Sequence, residues 1–328
     1  MSPENVDRPQ DVLERIRIGC RRVSEVARSV RIVEARLDSY AADLNIDRLE
    51  PPPLDSTGHY VGDESTTVAF FVALDGVNFG SGYFPHLRKR PGMSGYFTIA
   101  SSLADRFRDV GPLSASDLAQ IDPAACAKLF GQEMTVEPIA ELMGLFATSW
   151  NDLGVDLIDR FGGDVRRLVA ASDGSAARLV DLLAAQKLFR DVSDYDGIEV
   201  PFFKRAQILA SDLALALPGS GLGHFEDLDR LTIFADNLVP HVLRMDGLLE
   251  YAPELLERID REILIPAGSP EEIEIRACAV HAVERLVEAL MRRGVRANAR
   301  QLDVLLWSRG QGADYKSRPR HRTRTVYY

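Results

Sequence analysis

Residues 202–223 read FFKRAQILASDLALALPGSGLG. Phe202, Ala206, Leu209, Leu213 and Leu217 recur at helical spacing and form one apolar stripe. Lys204, Ile208, Ser211 and Leu215 form the neighbouring stripe, which is also mostly apolar. A helix apolar on two sides is largely buried, so this stretch predicts a helix inside a packed helical core. Lys204 then sits partly out of water, which lowers a lysine pKa unless a carboxylate offsets the burial. A lysine snorkelling from a helix start fits the same pattern. LPGSGLG ends the helix. It suits a plain helix–helix turn, or a glycine hairpin whose backbone N–H groups hold a phosphate.

The same period recurs outward from this stretch. Residues 12–44 read as helix, with Val12, Ile16, Cys20, Val23, Val26 and Val30 on one face. So do residues 136–163, 176–186, 225–245 and 271–293. Residues 51–62, PPPLDSTGHYVG, read as a loop. The apolar run at 66–84, TTVAFFVALDGVNFGSGYF, suits a buried strand and a buried helix equally. β-branched alternation is scarce elsewhere. The fold class predicted is mainly α, with at most a few short strands. The 328 residues read as one unit over 1–328, with an N-terminal part over 1–110 and a helical C-terminal part over 111–328.

Hydrophobic residues make up 46% and charged residues 27%, which excludes collagen-like and wholly disordered chains. The net charge of −10 disfavours gripping a long nucleic-acid backbone, which calls for a basic footprint. Cys20, Cys126 and Cys278 are far apart and odd in number, so neither a disulfide framework nor a metal spacing is expected. The histidines show no HExxH spacing, and no metal or cofactor is predicted. The polar start MSPENVDRPQ does not read as a targeting segment. No run approaches the roughly 20 apolar residues of a membrane span. A cytoplasmic location is expected.

Some residues sit where apolar ones belong. Asp75 and Asn78 stand at i and i+3 inside an apolar run. Asp236 lies beside the stripe formed by Leu228, Leu231, Ala235, Leu238 and Val242. Pro240 suits the first turn of a new helix, which places Asp236 near the end of one helix and the entry to another. A carboxylate at a helix C-terminus is disfavoured by the dipole, so it implies a nearby cation or a function; a simple cap is the alternative. Arg276 interrupts the stripe of Ile273, Val280, Val283 and Val287 and needs an anionic partner, within the fold or on a ligand. The chain closes with KSRPRHRTRTVYY, whose cations alternate up to Arg324 before three apolar or aromatic residues. That ending suggests docking.

FFKRAQILASDL, LTIFADNLVPHVL, EEIEIRACAVHAVERL and RPRHRTRTVYY together resemble the queuosine salvage family. FVALDGVNFGSGYF, SGYFTIASSLADR, LIDRFGGD and LLEYAPELLERI extend the resemblance over most of the chain. It implies a helical fold similar to helix-hairpin-helix DNA glycosylases. It also implies an N-glycosidase that releases queuine from queuosine 5′-monophosphate. Asp236 matches the family's catalytic Asp, and Lys204 a lysine that keeps it ionised and oriented. Asp75 and Asn78 are suited to a guanine-like edge, and Phe79 and Tyr96 to stacking on it. Arg320, His321 and Arg322 are suited to the phosphate. Ser94, Gly95, Asn237, His241, Arg276 and Tyr327 complete the implied substrate-binding set. The chain departs from the family pattern at Gly80, Ser81 and Gly82, which replace bulky aromatics, at Asn237 and at Ser308. Two other classes fit the residues: a glycosylase acting on a modified base within RNA or DNA, and a helical interaction protein without catalysis. The charge argues against the first, and the presence of both Lys204 and Asp236 against the second.

Overall fold

The computed structural model describes residues 11–46, 49 and 51–328. The polar start at 1–10 lies outside them. Helices dominate, and the strands form two short antiparallel pairs.

Helix α1 (Val12–Val26) starts at Asp11, whose carboxylate accepts from the Glu14 N–H at 3.0 Å. Its apolar face packs on α13 (Pro270–Arg292). The helix predicted to run on to residue 44 stops early. Glu274 accepts from the N–H groups of Arg28, Ser29 and Val30 at 3.1, 2.6 and 3.0 Å. Those donors are lost to a helical ladder, and Val30 enters strand β1 (Val30–Ile32) instead. β1 pairs with β4 (Leu249–Tyr251), with Val30 opposite Tyr251. Helix α2 (Leu37–Asp43) follows.

The ambiguous run at 66–84 resolves as helix α3 (Glu64–Gly76), capped by Asp63 and buried on nearly every side. Its final carbonyls are taken up by neighbours. Trp150 Nε1 donates to Ala73 O at 2.8 Å and Ser149 Oγ to Gly76 O at 2.6 Å, both from α7 (Glu137–Phe161). Arg205 Nη1 reaches Gly76 O at 2.5 Å from α10 (Lys204–Ala216). The end of α3, which carries Asp75 and leads to Asn78, is therefore clamped between α7 and α10.

Of the two helices expected across residues 225–245, the first is reduced to a single 3-10 turn at Leu228–Arg230. Residues 231–236 lack regular structure, and a helix begins only at α11 (Leu238–Met245), with Pro240 in its first turn. Asp191 of the segment before hairpin β2–β3 (Val192–Tyr195 and Ile198–Pro201) accepts from Arg276 of α13, and Arg276 Nε donates to Ala235 O at 2.9 Å. This tether holds the irregular segment in place. Asp196 and Gly197 turn the hairpin with φ of 48° and 81°, the left-handed geometry that two-residue turns require.

Helix α4 (Gly95–Asp109) and helix α14 (Ala299–Arg309) complete the walls around the cavity described below. The tail, 317–328, folds back onto the body: Gly80 N donates to Tyr328 O at 3.0 Å. A Cβ on Gly82 would lie 2.2 Å from Thr323 O, so only glycine lets the tail lie this close. One buried apolar cluster runs from Val12 to Leu306 through all these parts. Among the described residues, no helix is long and apolar enough to cross a membrane.

Candidate active site

A cavity of about 320 Å³ opens between the 51–59 loop, the start of α4, one face of α10, the 234–238 segment, α14 and the tail. Lys204, Asp236, Asn78, Phe79, Ser94, Gly95, Tyr96, Asn237 and Arg320 all line it. These nine come from five separate stretches of sequence.

Lys204 is the first residue of α10 and is 5% exposed. Phe203 before it has φ 49° and ψ 42°, a left-handed conformation unusual for a bulky residue. That turn aims Lys204 back at α3. Its Nζ donates to Asn78 O at 3.0 Å and to Asn78 Oδ1 at 3.1 Å. Burial lowers the lysine pKa, and the charges of Asp236 and Asp75 pull it back up.

Asp236 precedes α11. Its Oδ1 accepts from the N–H groups of Leu238 at 2.7 Å and Val239 at 3.3 Å. Of the two helix ends between which the sequence placed it, Asp236 serves the entry to the second, where the helix dipole favours its negative charge. Its other oxygen has no hydrogen bond among the described residues, and Asp236 faces the cavity.

Asn78 is oriented from both ends: Nδ2 donates to Asp75 Oδ1 at 2.9 Å, and Oδ1 accepts from Lys204. Asp75 itself is fully buried and does not reach the cavity. Its Oδ2 has no hydrogen-bond partner among the described residues, and burial raises its pKa against the pull of Asn78, Lys204 and Arg205. It stands one layer behind Asn78. Phe79 meets Phe146 edge-on, with ring centroids 5.0 Å apart. Tyr96 OH pairs with His59 Nε2 at 2.9 Å. Ser94 caps α4 by accepting from Phe97 N, and at Gly95 any Cβ would strike the Phe84 ring at 2.4 Å.

Several expected contacts lie elsewhere. Arg276 is 1% exposed and outside the cavity. Asp191 takes it bidentately at 3.0 and 2.6 Å, and Glu272 adds a contact at 3.4 Å. The rings of Phe202 and Tyr328 flank its guanidinium. It is a fold-internal ion pair, buried away from the cavity. Arg322 pairs with Glu262 on the outside. His241 is also walled off: Nε2 donates to Tyr315 O at 2.7 Å, and burial depresses its pKa to about 4. His321 is buried with its pKa lowered to about 3, and its carbonyl accepts from Asn237 Nδ2 at 3.4 Å. Tyr327 does not line the cavity either; its neighbour Tyr328 does. The LPGSG turn does not line the cavity either, and its Ser220 is bonded to Glu64.

Three lining acids were not singled out from sequence: Asp55 of the 51–59 loop, Asp303 and Asp212. Asp303 accepts from Phe234 N at 2.8 Å, and burial beside Asp236 raises its pKa well above the usual range. Asp212 lies on α10 two turns beyond Lys204. The signal for Asp212 was present, since it adjoins the stripe of Lys204, Ile208, Ser211 and Leu215. Asp303 sits beside Leu302 in an ordinary apolar helix pattern, and only its tertiary neighbours mark it.

Fold and cavity define a mainly helical protein with an enzyme-like cleft, in which a helix-capping carboxylate, a buried ammonium and an arginine face one space. A family model described as queuosine salvage protein matches residues 58–328. The chain is 39% identical over 313 residues to the queuosine 5′-phosphate N-glycosylase/hydrolase of Sphaerobacter thermophilus, covering 94% of this chain and 96% of that protein. It is 40% identical over 178 residues to the protein of the same name from Dictyostelium discoideum, 54% of this chain and 56% of that one. For the Schizosaccharomyces pombe protein of that name the identity is 32% over 255 residues, 72% and 71% of the two chains. The chain belongs to the queuosine salvage protein family.

Proposed function

We propose that this protein is an N-glycosidase that hydrolyses queuosine 5′-monophosphate and releases queuine. A 7-deazaguanine base has no basic N7 to protonate, so its departure relies on stabilising positive charge on the ribose. As in glycoside hydrolysis, a carboxylate facing C1′ stabilises that charge or attacks it. Asp236 suits the role. Two backbone N–H groups fix one of its oxygens, and the other is available to the cavity. Lys204 acts as its counter-charge and orients Asn78 toward the base. Asn78 reads the guanine-like edge, with Asp75 behind it setting the amide's orientation. Tyr96 and Phe79 supply the flat walls, and Arg320 the cation for the 5′-phosphate.

The single observation that carries this reading is the meeting of Lys204, Asp236, Asn78 and Arg320 in one cavity from four distant stretches of sequence. The substrate is a small nucleotide and not a polymer, in keeping with the net charge of −10. One unit spanning 1–328 carries the activity. The three cysteines are buried and free, which suits a reducing cytoplasm. The test is incubation with queuosine 5′-monophosphate, queuosine nucleoside and queuosine-containing tRNA, with free queuine followed by mass spectrometry. Release chiefly from the monophosphate is expected. Release from intact tRNA alone would make the protein a polymer glycosylase instead.

A further inference from the structure

Asp212 is a carboxylate without a job in the site as described. It is 9% exposed, lines the cavity, and has no hydrogen bond or ion pair among the described residues. It sits eight residues beyond Lys204, about 12 Å along α10 at 1.5 Å per residue. The charges acting on it are those of Asp75, Lys204 and Arg300. Those acting around Asp236 belong to Lys204, Asp303 and Arg320. Asp212 thus lies on the α10 wall of the cavity, two turns beyond Lys204, and Tyr96 lines the same space.

We infer that Asp212 is the specificity residue for the cationic amine of the substrate's side chain, binding the ammonium that distinguishes queuosine from unsubstituted 7-deazaguanosine. The inference rests on the queuosine-nucleotide reading of the site. Queuine carries a secondary amine on the methylene attached at C7, and this amine is protonated at neutral pH. A carboxylate enclosed this far, with no hydrogen bond or ion pair among the described residues, is costly to ionise in an empty cavity. Burial and the Asp75 charge push its pKa up accordingly. An incoming cation reverses that cost, whereas the weakly polar N–H groups of a base edge offset less of it. Tyr96, which lines the same cavity, adds an aromatic ring on which the same cation can rest. Asn78 already presents an oriented amide nearer Lys204, so the base edge has a reader and Asp212 is left for the side chain.

The test compares three free bases by calorimetry on the wild-type protein and on Asp212→Asn. Queuine and 7-aminomethyl-7-deazaguanine are cationic at C7; 7-cyano-7-deazaguanine has the same guanine-like edge and a neutral substituent. Wild type should bind both amines at least tenfold tighter than the nitrile. Asp212→Asn should lose roughly thirtyfold or more for the amines and leave the nitrile within about twofold. Retained nitrile binding also shows that the variant is folded. An equal loss for all three bases assigns Asp212 to the base edge and overturns the inference. Equal wild-type affinity for nitrile and amine overturns it without recourse to the variant. A wild-type protein that binds none of the three removes the proposed function, and the inference falls with it.

Discussion

Replacing Asp236 by asparagine separates its charge from its place in the fold. The Oδ1 atom accepts two N–H groups at the start of α11, and an asparagine oxygen accepts them equally well. Stability should therefore change by only a few tenths of a kcal/mol, with Tm within about 1–2 °C of wild type. The charge is what disappears. A unit charge about 4 Å from a developing cation contributes on the order of 4 kcal/mol at the effective dielectric of a partly solvated site. Loss of a comparable stabilising group in other enzymes costs about 2.7–4 kcal/mol, or 10²–10³ in kcat. We expect kcat for queuine release to drop by that factor while KM moves little. Lys204 supplies a second readout. Asp236 is the strongest influence holding its pKa up against burial. Without it the lysine deprotonates at lower pH, so the alkaline limb of the residual activity should shift downward. Asp236→Ala adds loss of the cap, roughly 0.5–2 kcal/mol of stability, without a much larger fall in rate. Near-normal turnover in Asp236→Asn, with unchanged melting, would refute the assignment of the charge to catalysis.

Arg320→Ala should raise KM for the 5′-monophosphate on the order of tenfold to a hundredfold and spare any activity on the nucleoside, because one charge-assisted contact contributes about 1.5–3 kcal/mol. Arg322→Ala should do neither, since Arg322 is held by Glu262 outside the cavity; steady-state kinetics on both substrates checks the pair. Lys204→Arg should flatten the alkaline limb of the pH–rate profile, because a lysine whose pKa is lowered loses its proton below the usual range and an arginine keeps its own. Gly82→Ala forces a Cβ against the Thr323 carbonyl at 2.2 Å and should lift the tail, at about 1–3 kcal/mol. Faster proteolysis of the tail together with a raised KM is the expected result, because Arg320 and Tyr328 reach the cavity from that segment.

The local sequence pattern determined that this is a helical protein and which residues are out of place in it. The buried α10, the long α7 and α13, and the proline entry to α11 are all legible in apolar spacing, because a helix buries a face at a fixed period. Lys204, Asp236 and Arg276 are visible as polar residues on apolar faces. Pattern alone cannot say what such a residue meets. Lys204 and Asp236 meet in the cavity, while Arg276, equally conspicuous, is consumed by Asp191 from 85 residues away. Glu274 of α13 ends α1 from 246 residues away, with donors that sequence spacing does not connect to it. Asp303 looks like an ordinary helix residue until Phe234 and Asp236 are placed beside it. Periodicity reports the half of the environment that faces the chain's own core. Charge partners, desolvation and access to a cavity depend on segments far apart in sequence, and those distances exist only once the chain has packed.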